Sequence, residues 1–263
     1  MRNILLTISY DGTDFCGWQR QDEGNIKNSF RTVQGEVELA LEKLHKTPIV
    51  LYGSGRTDSG VHALAQAANF FSPIDSIPVR HYPEALNCFL PQDIRITDAK
   101  EVSESFNARF SATSRVYRYY IVPKKICASQ NRFCWFVNYE PNLNRLNEYC
   151  KCLKGEIDCA SFAASGDLSL STNRYIENAH FFVQKNFPDD SEVLVFEIEA
   201  NAFLWKMVRT ITGTLISLDK KNAPLDSMQK IIEAKDRKKA GATAPAKGLF
   251  LYEIKFDGIR RHK

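Results

Sequence analysis

The stretch "LYGSGRTDSGVHALAQ" (Leu51 to Gln66) decides how this chain is built. Gly53, Gly55 and Gly60, with Ser54 and Ser59, surround Arg56 and Asp58. Apolar residues near Ile49 to Tyr52 read as a strand before the loop, and "AQAANFFS" (65–72) reads as a strand after it. The connection is therefore strand–loop–strand. That excludes two phosphate-binding loops. A P-loop requires a lysine that is missing here, and a dinucleotide fingerprint requires G-x-G-x-x-G opening a helix. Two readings of Asp58 remain open. It caps its own turn, or it is a carboxylate positioned for chemistry as nucleophile or base, in a loop whose glycines admit a ligand closely. In the second reading Arg56 is suited to hold a phosphate or to displace a base from its stack.

Working outward, the first strand falls near Asn3 to Ser9 and stops at Asp11-Gly12. A helix is expected near Val33 to His45, with Thr32 as its N-cap and Val33, Val37, Ala40, Leu41 and Leu44 on one face. "VRHYPEALNCF" (79–89) reads as a short helix and "DIRITDAKEV" (93–102) as a strand, which makes the first part β-α-β-β-α-β. The second part repeats the rhythm. "RVYRYYIV" (115–122) is a strand, and "LNRLNEYCKCLKG" (143–155) is a helix stopped by Gly155. "NAHFFVQ" and "EVLVFEIEA" are paired strands around a turn at Pro188-Asp189-Asp190. "AFLWKMVRTITGTLISL" (202–218) is a buried helix. Asp226 caps a further helix, and "LFLYEIKF" (249–256) closes the chain as a strand. The fold class is α+β, with two halves expected at 1–104 and 105–263 around a central cleft.

The 263 residues, 44% of them hydrophobic, suffice for a real core. No apolar run is long enough to span a bilayer, and the N-terminus lacks a signal-peptide pattern, so a cytoplasmic location is expected. Seven cysteines and five histidines are scattered, with no C-x-x-C pair, so neither a metal nor a disulfide framework is expected. The net charge of +4 is modest, but its distribution is not even. Between Glu104 and Glu140 there is no acidic residue, while Arg109, Arg115, Arg118, Lys124, Lys125 and Arg132 alternate with aromatics such as Phe110, Tyr117 and Trp135. Such a stretch suits phosphate contact and base stacking, or equally a strand with one solvated basic face and one buried aromatic face. "KDRKK" (235–239) and the tail "RRHK" read as solvated charge.

"GRTDSGVHA" (55–63) resembles the catalytic motif of the TruA family of tRNA pseudouridine synthases. The likeness extends in order along the chain: "YDGTDFCGWQRQ" (10–21), "TVQGEVELAL" (32–41), "LNCFLPQDIRI" (86–96), "FNARFSATSRVYRYYI" (106–121), "NAFLWKMVRTITGTL" (201–215) and "AKGLFL" (246–251). The resemblance implies a pseudouridine synthase fold with two RRM-like halves. It also implies a homodimeric isomerase that converts uridine to pseudouridine at tRNA positions 38 to 40, without cofactor or metal. It makes Asp58 the catalytic aspartate, Arg209 its pairing arginine, and Tyr117 the tyrosine that stacks on the base and takes a proton. Arg56 is linked to flipping the uridine, Leu249 lines the uracil pocket, and Arg20, Arg109 and Arg115 are further RNA contacts. Read without the resemblance, Tyr117 and Leu249 are core residues and Arg209 a snorkelling helix arginine. The loop "DEGNIKNSF" (22–30) is longer than the family usually has, and Ala163 stands where a basic residue is common. Two competing readings are a non-catalytic RNA-binding module of the same fold and a hydrolase pairing Asp58 with His62.

Overall fold

The computed structural model describes residues 1–21, 30–125, 127–128, 130–185, 191–259 and 261. The expected turn at Pro188-Asp189-Asp190, most of the long 22–30 loop and most of the "RRHK" tail lie outside the described residues. In chain order the elements are β1 (Arg2–Tyr10), α1 (Val33–His45), β2 (Tyr52–Gly53), β3 (His62–Ser72), α2 (Tyr82–Asn87), β4 (Ile94–Val102), α3 (Ala108–Ser111), β5 (Ser114–Pro123), β6 (Trp135–Val137), α4 (Leu143–Cys150), β7 (Gly155–Asp158), β8 (Asn173–Lys185), β9 (Glu192–Ala200), α5 (Met207–Lys220), α6 (Ser227–Ala234) and β10 (Leu249–Lys255). The fold is mixed α+β, and its strand pairs are mostly antiparallel.

Two compact units emerge: Met1–Thr113 with Phe250–Gly258, and Ser114–Leu249 with Ile259–Lys263. The break thus comes after Thr113 rather than near residue 105, for a visible reason. The Asn3 amide donates to the carbonyls of Ser103 (2.8 Å) and Phe106 (2.9 Å). The Asn69 carbonyl accepts from the Ala108 N–H (2.8 Å), and the Thr113 N–H donates to Lys255 (2.9 Å). These bonds hold residues 103–113 to the first unit.

In the first unit the strand order is β4-β1-β3-β10, with β2 on β3. β10 runs parallel to β3, with Phe250 opposite His62 and Leu251 opposite Ala63. α1 starts where its cap predicts: the Thr32 hydroxyl accepts from the Gly35 N–H at 3.3 Å. Val33, Val37 and Leu41 are buried; each side chain of this kind adds about 2 kcal/mol of hydrophobic stabilisation. The strand expected before the aspartate loop is only two residues long: pairing begins at Tyr52 opposite Asn69, and the Leu51 N–H just before it donates to the Glu38 carboxylate (3.1 Å) instead of to a strand.

In the second unit the order is β5-β9-β8-β7, with β6 beside β5. α5 begins at Met207, not near residue 202. Lys206 sits in the left-handed region (φ 59), and the Trp205 N–H is held by the Asp167 carboxylate at 2.5 Å, so the chain turns before it winds. Gly155 (φ 97) opens β7 instead of closing a helix; α4 ends at Cys150 and a 3-10 turn covers 151–153. Asp226 precedes α6 without capping it, since its carboxylate pairs with Lys230 at 2.8 Å.

Candidate active site

The loop between β2 and β3 is pinned at both ends and in the middle. The Ser54 N–H donates to Ala67 (2.8 Å), and the buried Gln66 amide donates to the Gly55 carbonyl (3.0 Å). The Trp18 N–H donates to Thr57 (3.1 Å), and the Val61 N–H to the Asp58 carbonyl (3.1 Å). Within this frame Arg56 is exposed and Asp58 half-buried. The glycines divide the work expected of them as a group. A Cβ at Gly53 would lie 2.5 Å from the Trp18 indole, so the protein itself fills that space, whereas Gly55 has nothing within 4 Å and is the open one.

His62 is fully buried at the start of β3. It stacks on Phe250 (4.6 Å between centroids), and its Nδ1 accepts the Gly12 N–H at 3.0 Å. That placement makes it part of the packing beneath the loop.

Other expected residues of the first unit are engaged with the protein. Arg20 meets the nearly buried Glu38 carboxylate at 2.5 Å. Glu38 also accepts the Leu51 N–H (3.1 Å), which ties Arg20 to the chain just before the loop. Arg109 is exposed, with its guanidinium 5.7 Å from the Phe110 ring.

The second unit carries Tyr117, Arg209, Leu249 and Arg115. Tyr117 lies on β5 opposite Ile198, half-buried, with Phe203 edge-on at 5.0 Å. Arg209 sits in the first turn of α5. Its Nε donates to the Ala244 carbonyl (2.9 Å), and the Ala244 N–H returns a bond to the Arg209 carbonyl (3.0 Å). The clasping segment is braced in turn. Arg237 donates to Gly241 (3.0 Å) and to the Thr243 hydroxyl (3.1 Å), and the Gly241 N–H donates to the Thr214 hydroxyl (2.9 Å).

Next to this clasp the Tyr119 hydroxyl donates to Pro245 at 2.7 Å. Burial pushes that phenol far above its ordinary pKa, against the opposing pull of the Arg209 charge, so it stays a neutral donor. Leu249, at the start of β10, is buried. Much of the basic stretch is internally paired: Arg115 with the Asn201 carbonyl (2.8 Å), Arg118 with Glu197 (2.7 Å), and Lys124 with Glu140 (2.9 Å). Among the described residues no cluster of His, Cys, Asp or Glu could hold a metal ion.

A family model described as tRNA pseudouridine synthase matches residues 6–111 and 149–257. The chain belongs to the tRNA pseudouridine synthase family. It is 53% identical to the tRNA pseudouridine synthase A of Treponema denticola over 256 residues, 97% of this chain and 93% of that one. The enzyme of the same name from Treponema pallidum (strain Nichols) is 48% identical over 242 residues, covering 92% and 84%. That of Brachyspira hyodysenteriae is 42% identical over 254 residues, covering 95% and 96%.

The family match includes Arg20, Arg56, Asp58, Arg109, Arg209 and Leu249, while Tyr117 and Arg115 lie between its two segments. Sequence reasoning missed the supports. Gln66, Trp18 and Arg237 were passed over because a buried amide, an indole and one cation in a charged run carry no chemistry of their own.

Proposed function

We propose that this chain isomerises uridine to pseudouridine in the anticodon stem-loop of tRNA, at tRNA positions 38 to 40. The observation that carries the reading is a family match containing the loop of Asp58, itself mounted on a fixed frame. In the reaction the N1–C1′ bond breaks, the uracil turns, a C5–C1′ bond forms, and the C5 proton leaves while N1 regains one, so the product has the composition of the substrate. Asp58 serves by attacking C1′, by attacking C6, or by taking a proton from the sugar. Arg209 matches the arginine that pairs with the catalytic aspartate in the family's motif. Tyr117 stacks on the base and accepts the C5 proton. Arg56 offsets the cost, a few kcal/mol, of lifting the uridine from its stack, and Leu249 lines the uracil pocket. Arg20, Arg109 and Arg115 add RNA contacts that place the stem without reading its sequence.

The reading includes a homodimer, with one tRNA touching both subunits, and a cytoplasmic location. Both follow from the resemblance; no helix among the described residues is long and apolar enough to cross a membrane.

The test is to incubate the protein with unmodified tRNA and map pseudouridine, then to repeat with Asp58→Asn. Pseudouridine at 38 to 40 with the wild type and none with the variant is the expected result. Binding without product favours the non-catalytic module. Full activity of the variant removes Asp58 from its role. Tyr117→Phe is expected to bind tRNA and lose most turnover; an unchanged single-turnover rate removes Tyr117 as the base.

A further inference from the structure

"YDGTDFCGWQRQ" and "GRTDSGVHA" are separated by α1 in sequence but interlock in the first unit. The Tyr10 hydroxyl lies 2.8 Å from the Thr57 hydroxyl, and both side chains are buried. The Trp18 N–H takes the Thr57 carbonyl, and the Ser59 hydroxyl donates to Phe15 at 3.1 Å. Gly12 packs so close that a Cβ there would stand 1.9 Å from the Val61 carbonyl oxygen. Thr57 sits between Arg56 and Asp58, so whatever fixes Thr57 fixes the direction in which its two charged neighbours leave the backbone.

We propose that Tyr10 is a positioning residue for Asp58, acting through the hydroxyl of Thr57; the proposal rests on the reading of Asp58 given above. The point and direction at which the half-buried Asp58 side chain leaves the chain are set by the backbone on either side of it. On the C-terminal side that backbone is held by the Val61 N–H on the Asp58 carbonyl. On the N-terminal side it is held by the two bonds to Thr57. Removing the Tyr10 hydroxyl leaves the buried Thr57 hydroxyl seeking another partner. The residue turns with it, and a shift of about 1 Å at a reacting group is enough to slow chemistry by as much as about 100-fold. Had Tyr10 only a packing role, phenylalanine would serve as well, since its ring keeps the tilted contact with Trp18 (6.1 Å).

The experiment compares Tyr10→Phe, Thr57→Val, Thr57→Ser and the Tyr10→Phe/Thr57→Val double variant in the full chain. It measures single-turnover pseudouridine formation on an unmodified tRNA transcript, tRNA Kd and the urea midpoint. The expected result is a rate about tenfold or more lower for Tyr10→Phe and for Thr57→Val, with Kd unchanged to within about twofold. The double variant should be no slower than the slower single, because both lesions remove one bond. Thr57→Ser, which keeps the hydroxyl, should retain most of the rate. A wild-type rate for Tyr10→Phe, a double variant slowed by the product of the singles, or a loss that merely follows the urea midpoint overturns the proposal. Asp58→Asn is the control. If it is inert while Tyr10→Phe is unaffected, only the positioning role fails; if it is fully active, the reading of Asp58 fails and this proposal with it.

Discussion

Gly213→Ala is the substitution that most directly tests how Arg209 is held. Alanine is normally the better helix residue, by about 1 kcal/mol over glycine, so an unobstructed site would gain stability. Here the new Cβ would lie 1.9 Å from the Ala242 carbonyl oxygen, and contacts under 3.0 Å essentially never occur. The 240–245 segment must therefore retreat by about 1 Å, with an overpacking cost of about 1–3 kcal/mol. It carries with it the bond between the Gly241 N–H and Thr214 and the reciprocal pair between Ala244 and Arg209, each worth about 1 kcal/mol. Weighed against the propensity gain, a net loss of about 3–5 kcal/mol is expected if all three bonds are lost. If Arg209 acts in the reaction, the same retreat should lower the single-turnover rate by about tenfold or more at temperatures where the variant is fully folded. Urea titration gives the first quantity and pseudouridine formation on unmodified tRNA the second. A variant as stable as the wild type, with the wild-type rate, would show that the segment yields freely and does not fix Arg209.

Three other outcomes are expected. Asn69→Ala should destabilise the protein by about 2–4 kcal/mol in urea titration, because it strips the Ala108 N–H and the Asn3 side-chain oxygen of a buried partner; a loss under about 1 kcal/mol contradicts the assigned network. At pH 8 a disulfide reagent should label the exposed Cys16, Cys88 and Cys127 quickly and the other thiols only on unfolding. Burial pushes Cys134 and Cys152 up to about 11 and Cys159 up to about 12, so fast labelling of a fourth thiol refutes the burial argument. Asp158 is held below the usual carboxylate range, chiefly by the Thr172 hydroxyl at 2.6 Å and then by Lys235. Its folded pKa lies below its unfolded one, so its contribution is complete above about pH 4 and fades as pH falls through the folded value. Asp158→Asn should accordingly flatten the acid limb of the stability curve, and an unchanged limb counts against the assignment.

Local rules carried the sequence reading a long way. Thr32 caps α1 as expected, and β4, β5, β9 and β10 fall where apolar patterning places them. The misses share a cause. β2 starts late because Glu38 on α1 takes the Leu51 N–H, α5 is delayed by a left-handed lysine tied through Asp167, and Gly155 serves a strand because β8 is there to receive it. Each depends on a partner far away in sequence, which periodicity cannot see. The same holds at the candidate site. A loop with Arg56 and Asp58 announces itself by composition, but Tyr10 and Arg237 gain meaning only when the fold sets them against Thr57 and Thr243.

The parallel pairing of Phe250 with His62 also bears on the order of assembly during synthesis. Residues up to Thr113 leave the ribosome together, yet the strand that completes their sheet follows roughly 140 residues later, a delay of about 7 to 28 s at ordinary elongation rates. For that interval the edge of β3, at the very residue that closes the aspartate loop, has no strand along it, and His62 lacks the ring that stacks on it. The first unit to be started thus waits longest for its last strand, and the ring that stacks on His62 beneath the aspartate loop arrives only after nearly the entire chain has been translated.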